Sequence, residues 1–292
     1  VRSGFVGILG WTNVGKSTLL NALVGEKLAA TSRVPQTTRN RITGVLHLDG
    51  KGQIVFVDTP GFHRPRYRMN HAMIDVSRST LRSVDAALMI VDGERGLGPG
   101  DRETARLLSR ADLPSIIAVN KIDRIRPKTR LFPILQEIVE VLGFPAAVPI
   151  SALHGDGTRQ LVEEVLKILP ERDPVFPRDY LTDQPERTLV AEAIREKIFQ
   201  LTREEIPHSV AVLIDHWEEG PSGLRIGARI LVEKDSQKAI VIGKGGELLK
   251  KVGTRARLEM ERFLDARIHL DLWVKVRQGW RNDPDTLHRI GL

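Results

Sequence analysis

The sequence has 292 residues, 41% hydrophobic and 28% charged, with a formal net charge of +7 and no cysteine. That length is enough for two domains with separate cores; the missing cysteines exclude disulfides and thiolate metal sites and fit a cytoplasmic protein. No apolar run reaches the roughly eighteen residues of a membrane-spanning helix, and no secretory signal pattern precedes the first apolar run.

In chain order, Phe5–Leu9 is a short apolar run that stops at Gly10 and reads as a buried strand. Ser17–Val24 has the spacing of a helix. Arg41–Leu48 and Gln53–Val57 alternate as neighbouring strands around the turn pair Asp49-Gly50. Helix Asn70–Leu81, buried strand Ala86–Val91, helix Asp101–Arg110, buried strand Ser115–Val119, helix Leu131–Leu142, strand Ala146–Ile150 and helix Thr158–Leu169 follow. Strands alternating with helices predict an α/β fold whose open, mostly parallel sheet is covered on both faces. Pro170, Pro174, Pro177 and Pro185 then punctuate the chain. We expect a first domain over 1–170, a linker over 171–187 and a second domain over 188–292. The second reads as helix Thr188–Leu201, strands Ser209–Trp217 and Leu224–Glu233, helix Ser236–Ile242, a glycine-rich turn at 243–246, helix Glu247–Ala266 and strand Ile268–Val276, the order α-β-β-α-α-β. Residues 171–233 hold 8 Lys/Arg against 13 Asp/Glu, and residues 234–292 hold 13 against 8. A basic segment after an acidic one suits a polyanion, or is a solvated face.

Gly10-Trp11-Thr12-Asn13-Val14-Gly15-Lys16-Ser17 fits the phosphate-binding pattern G-x4-G-K-[ST] and lies between a strand and a helix, the context that the pattern requires. Backbone N–H groups and a helix N-terminus attract phosphate. Lys16 reaches the β- and γ-phosphates and Ser17 offers a hydroxyl to Mg2+. Asp58-Thr59-Pro60-Gly61 also ends a strand: Asp58 can hold Mg2+ and the Gly61 N–H can meet the γ-phosphate. Asn120-Lys121-Ile122-Asp123 ends another. The Asp123 carboxylate can accept from the N1–H and 2-amino groups of guanine, donors that adenine lacks, with Lys121 along the base. Ser151-Ala152-Leu153 can close over the base through a backbone N–H. The polar stretch Thr31–Arg39 supplies a switch threonine, Thr38 with Thr37 as the alternative, for Mg2+ and γ-phosphate. The predicted nucleotide set is therefore Gly10, Asn13, Val14, Gly15, Lys16, Ser17, Thr18, Asp58, Thr59, Pro60, Gly61, Asn120, Lys121, Asp123, Ser151, Ala152 and Leu153. Ser17, Thr38 and Asp58 are the Mg2+ residues, and Lys16, Thr38 and Gly61 the catalytic ones. Phe62 follows Gly61 where Ras-type GTPases carry a water-orienting glutamine, so slow intrinsic hydrolysis is expected. Asn13 is a candidate K+ ligand or a capping residue of its loop.

Gly243-Lys244-Gly245-Gly246 lies between two helices, where a G-x-x-G turn brings protein backbone against a nucleic-acid backbone, as in the KH module. Ile240-Val241-Ile242 offers apolar surface. Lys234, Lys238, Lys244, Lys250, Lys251, Arg255 and Arg257 surround the turn and can neutralise phosphates. We take Ile242, Gly243, Lys244, Gly245, Gly246, Lys250 and Lys251 as the RNA-binding set. The same cluster would suit anionic lipid on a membrane or signalling GTPase, although no amphipathic anchor or lipidation motif stands out.

These motifs in this order, with the tail Gly279-Trp280-Arg281, resemble the Era family of bacterial GTPases over essentially the whole chain. The resemblance implies a Ras-like P-loop GTPase domain followed by a type II KH domain, a monomer that uses GTP/GDP and Mg2+, and binding to small-subunit ribosomal RNA near its 3′ end. It further implies a role in maturation of the small ribosomal subunit and peripheral contact with the inner membrane. The segment around Asn13 also resembles that of potassium-activated GTPases, which carry Asn at this position, so Asn13 stays a candidate K+ ligand beside its capping role. Trp11-Thr12 departs from the family's usual Arg-Pro, which bears on the loop's shape and on any cation site at Asn13.

Overall fold

The computed structural model describes residues 1–32, 38–61, 67–145, 147–202 and 206–292. The chain divides into two compact units, the second made mainly of Gln184–Leu292 and the first of most of what precedes it.

The first unit contains strands β1 (Arg2–Leu9), β2 (Ile42–Leu48), β3 (Gly52–Asp58), β4 (Ala86–Asp92), β5 (Ser115–Asn120) and β6 (Ala147–Pro149) in one sheet, ordered β2-β3-β1-β4-β5-β6. Only β2 is antiparallel, paired with β3 across the Asp49-Gly50 hairpin. Helices α1 (Lys16–Val24), α2 (Arg68–Leu81), α3 (Pro99–Ala111), α4 (Leu131–Gln136) and α5 (Thr158–Ile168) complete the unit. All seven residues of β4 and all six of β5 are buried. A parallel strand covered on both faces has no solvent side, which is why these stretches read as continuous apolar runs. The helix read over 131–142 is α4 followed by a wider π-type turn over Glu137–Val141. Parallel register brings the ends of β1, β3, β4 and β5 to one edge, with Ile8 opposite Asp58 and Asp92 opposite Asn120. Open α/β sheets bind ligands at that edge.

The composition of 171–187 predicts a linker, yet its residues up to Asp183 pack on the first unit. The Gln53 side chain, wholly buried, explains the attachment. Its Oε1 accepts from the N–H groups of Val175 and Phe176 at 2.9 and 3.0 Å, and its Nε2 donates to the Phe176 carbonyl at 2.8 Å. Further along, Val45 N–H donates to the Leu181 carbonyl at 2.9 Å and the Thr182 hydroxyl to the Thr43 carbonyl at 2.6 Å. The segment thus covers edge strand β2, which would otherwise present unpaired backbone groups.

The second unit contains α6 (Glu186–Leu201), α7 (Ile206–Ser209), β7 (Ala211–Gly220), β8 (Gly223–Val232), α8 (Asp235–Ile242), α9 (Glu247–Phe263), β9 (Ile268–Val276) and α10 (Pro284–Arg289). Its sheet runs β7-β8-β9, with β7/β8 antiparallel and β8/β9 parallel. Alternate residues Ile226, Ala228, Ile230 and Val232 face the core, where they meet Val252, Ala256 and Met260, the i, i+4, i+8 stripe of α9. Trp280, fully buried, donates its indole N–H to the Ser209 carbonyl at 3.0 Å and locks the C-terminal segment in place. Asp283 then caps α10 by accepting from Thr286 N–H at 3.1 Å. Helices α7 and α10 are too short to show a period in the sequence.

Candidate nucleotide and nucleic-acid sites

Gly10–Ser17 turns from β1 into α1 at the carboxyl edge of the sheet. Gly15 has φ +102, and a Cβ there would lie 2.3 Å from Asn120 Nδ2, so only glycine fits. Asn120 is close because it bonds the loop: its Nδ2 donates to the Val14 carbonyl at 2.8 Å, while its Oδ1 accepts from Ala152 N–H at 2.9 Å. Lys121 does likewise through its ammonium, which donates to the Asn13 carbonyl at 2.7 Å and to Asp92 at 2.6 Å. Three loops predicted separately from sequence are therefore tied together by the Asn-Lys pair.

Inside the loop, the Lys16 ammonium donates to the carbonyls of Trp11 (3.0 Å) and Gly10 (3.3 Å). Burial lowers its pKa to about 8, with the Asp58 charge opposing. A Cβ on Gly61 would be 3.0 Å from this ammonium, so Gly61 lies against it. Ser17 Oγ donates to Asp58 Oδ2 at 2.7 Å, and Thr38 Oγ1 lies 2.6 Å from Ser17 Oγ and 3.4 Å from the same carboxylate oxygen. Asp58 is fully buried and its Oδ1 has no hydrogen-bond partner among the described residues. Burial pushes its carboxyl up, against the Lys16 charge and the Ser17, Thr38 and Thr59 hydrogen bonds. Two hydroxyls and a carboxylate with an unused oxygen are hard donors that suit Mg2+, which takes few protein ligands and completes its shell with water and phosphate.

Thr59 and Pro60 are spoken for within the fold. The Thr59 hydroxyl donates to the Ile8 carbonyl at 2.9 Å and the Pro60 backbone carbonyl accepts from the Ser77 hydroxyl at 2.8 Å, bonds that fix the shape of this loop. Asp123 accepts from the Ser151 hydroxyl at 2.7 Å. Although burial pushes its carboxyl up, the Ser151 bond, its own N–H and the His154 and Arg124 charges together hold it below the usual carboxylate range. Ala152 is buried and Leu153 exposed. Val14 is buried behind the loop, and Thr18 sits half-buried in the first turn of α1. Thr37 and Phe62 lie outside the described residues. The sequence reading missed Asp92; its place at the carboxyl end of β4, matching Asp58 on β3, was the available signal.

On the second unit, Gly243, Gly245 and Gly246 have φ of +74, +59 and +83, and nothing lies within 4 Å of a Cβ built on Gly245 or Gly246. The turn between α8 and α9 therefore presents bare backbone. Beside it a groove of about 350 Å³ runs between α9 and β9, with Leu249, Leu270 and Leu272 as apolar lining and Lys250 and Arg257 as cations. Lys244, Lys250, Lys251 and Arg255 are exposed, and Arg257 is half-buried against Glu261. Of the apolar triplet, Val241 belongs to the core, Ile240 is exposed and Ile242 is intermediate.

Residues 5–121 match the family described as 50S ribosome-binding GTPase, and residues 205–281 match the KH domain family. Over 292 residues the chain is 46% identical to GTPase Era of Heliobacterium modesticaldum, covering 100% of this chain and 97% of the relative. Over 291 residues it is 47% identical to GTPase Era of Geobacter sp. strain M21, covering 99% and 97%. Among solved structures, Era in complex with MgGDPNP and nucleotides 1506–1542 of 16S ribosomal RNA superposes with a TM-score of 0.97 at 41% identity, over 100% of this chain and 99% of that one. A variant of Aquifex aeolicus Era bound to GDP.AlF4− gives 0.97 at 40% identity, with the same coverage.

Proposed function

The chain belongs to the Era family of GTPases, and on that footing we propose that it is a GTP-binding, GTP-hydrolysing switch that binds small-subunit ribosomal RNA near its 3′ end and acts in assembly of the small ribosomal subunit. The observation that carries this reading is the convergence of Ser17, Thr38 and Asp58 on one point beside Lys16. It joins a threonine from a switch segment to the phosphate loop, as a γ-phosphate sensor requires.

In this reading Lys16 binds the β- and γ-phosphates, and Ser17, Thr38 and Asp58 hold Mg2+. When bound, that ion neutralises charge that develops on the phosphate oxygens. Gly61 N–H meets the γ-phosphate, and Asp123, held ionised, accepts from guanine. Phe62 cannot hydrogen-bond a water through its side chain, so its orientation falls to backbone groups, a partner or K+ near Asn13. Intrinsic hydrolysis is accordingly slow. RNA backbone lies against Gly245 and Gly246, its phosphates meet Lys244, Lys250 and Lys251, and bases enter the α9/β9 groove.

Binding to small ribosomal subunits, and to a single strand from the 3′ end of their RNA, with GDP against a non-hydrolysable GTP analogue tests the reading. Tighter binding with the analogue, lost when Lys244→Asp and Gly245→Asp are combined, is the expected result; no binding in either state would overturn the ribosomal assignment. The cytoplasm is the location that this reading assigns. Peripheral inner-membrane contact is tested by co-sedimentation with anionic vesicles; among the described residues no helix is long and apolar enough to cross a membrane.

A further inference from the structure

The first unit carries an exposed basic cluster of its own, in the stretch that follows Asp123. Residues 124–136 hold four Lys/Arg and no Asp or Glu. Two single turns of 3-10 helix, Ile122–Arg124 and Lys128–Arg130, flank Ile125, which is 2% exposed and anchors the segment. Arg124 has acids in reach, Glu94 at 3.5 Å and Asp123 at 4.0 Å. Arg126, Lys128 and Arg130 are exposed and pair with no carboxylate among the described residues. Their side chains bond backbone carbonyls instead: Arg126 donates to Ile125 at 2.9 Å, Arg130 to Arg126 at 3.4 Å, and Lys128 to Ile122. Such bonds use one of the five N–H donors of each guanidinium and cancel no charge.

An aromatic ring stands beside these charges. Phe132, in the first turn of α4, is 70% exposed, and no other phenylalanine among the described residues is exposed. Lys128 and Phe132 lie four residues apart in one helical run and so share a face. A bilayer would need that face to stay broadly apolar, yet Gln136 and Glu140, hydrogen-bonded to each other at 3.0 Å, continue it. Single-stranded nucleic acid fits better. Its phosphates take the free guanidinium donors, and its bases stack one at a time on an isolated ring. A KH turn clamps about four nucleotides, so ribosomal RNA has chain to spare for a second contact.

We propose that Arg126, Lys128, Arg130 and Phe132 form a second RNA-binding surface, on the first unit, that takes single-stranded RNA without sequence preference and adds its affinity to that of the KH turn. The inference rests on the reading that this chain binds small-subunit ribosomal RNA.

Four probes are offered to the full chain with a GTP analogue bound: small ribosomal subunits, the short strand from their RNA 3′ end, long single-stranded RNA of unrelated sequence, and vesicles of phosphatidylethanolamine and phosphatidylglycerol. Arg126→Glu combined with Arg130→Glu should leave the short strand unaffected, because the KH turn accounts for it. The pair should weaken subunits and long RNA by about tenfold or more and reduce the salt slope by about 1.5, roughly 0.7 for each lost phosphate contact. Phe132→Ala should weaken the same two probes about tenfold through the lost stack, with the salt slope unchanged. Thermal melting and GDP affinity check that the variants fold. Unchanged binding of subunits and long RNA in both variants would overturn the inference and leave the KH assignment standing. Weaker subunit binding with long RNA unaffected would place a ribosomal protein on this surface, and vesicle binding lost with RNA binding kept would place lipid there; either overturns it. Failure of the unsubstituted chain to bind any RNA would remove the ribosomal reading itself, and this surface with it.

Discussion

Asn120 donates from Nδ2 to the Val14 carbonyl at 2.8 Å, across the 106 residues that separate them in sequence. With its Oδ1 on Ala152 N–H, it holds the phosphate loop and the 151–153 loop to the end of β5. Asn120→Ala removes both bonds and leaves a buried N–H and carbonyl unpaired, a loss of about 2 kcal/mol or more. Urea denaturation of the nucleotide-free protein should register this, and GDP affinity should fall about tenfold or more because two of its contact loops lose their common anchor. Unchanged stability would mean that the loops are held by other contacts.

Asp123 carries the choice of base. Asp123→Asn replaces an acceptor by a donor, so guanine loses its partner while xanthine, with a carbonyl oxygen where guanine has the amino group, gains one. GDP affinity should fall by about a hundredfold and xanthosine diphosphate should become the better ligand. Competition with a fluorescent nucleotide measures both, and retained preference for GDP would remove Asp123 from the base site.

Lys16 links nucleotide binding to pH. In the free protein its pKa lies near 8 against an ordinary 10.5. Below about 8 the fold must hold a buried charge, and that penalty fades as pH rises towards 10.5, so Lys16 makes the nucleotide-free fold more stable across this window. Phosphate binding needs the charged form. GDP affinity should therefore drop with pH above about 8, approaching about tenfold per unit, with proton uptake on binding. Calorimetry at neutral and alkaline pH in buffers of different ionisation enthalpy reads both effects. Flat affinity with no uptake would contradict the assignment, and Lys16→Ala should lose nucleotide binding and the pH dependence with it.

Lys250 and Gly246 separate charge from shape on the RNA face. Lys250→Ala should weaken every RNA sequence alike and reduce the salt slope of binding by about 1. Gly246→Val should leave charge untouched but block the bare backbone, since the open space there would fill with side chain. The positive φ costs about 1 kcal/mol of strain, which a thermal melt will show as a small shift. Normal affinity in both variants would move the nucleic acid to another face.

Much of this protein is legible along one dimension. The phosphate loop, Asp58–Gly61, Asn120–Asp123 and the glycine turn at 243–246 are contiguous stretches whose chemistry depends on local backbone: clustered N–H groups, positive φ, a carboxylate at a strand end. The buried strands announced themselves because a covered parallel sheet demands unbroken apolar residues. Tertiary structure decided which partners those residues take. It set Asp92 against Lys121 and turned the Thr59 hydroxyl inward to Ile8. It brought Thr38 to Ser17 and Asp58, bound the proline-rich segment to Gln53, and left one oxygen of Asp58 without a hydrogen-bond partner among the described residues. Hydrogen-bond partners far apart in the chain leave no periodicity, and a buried atom without a partner has no signature in sequence, because both depend on which surfaces the folded sheet and helices bring together.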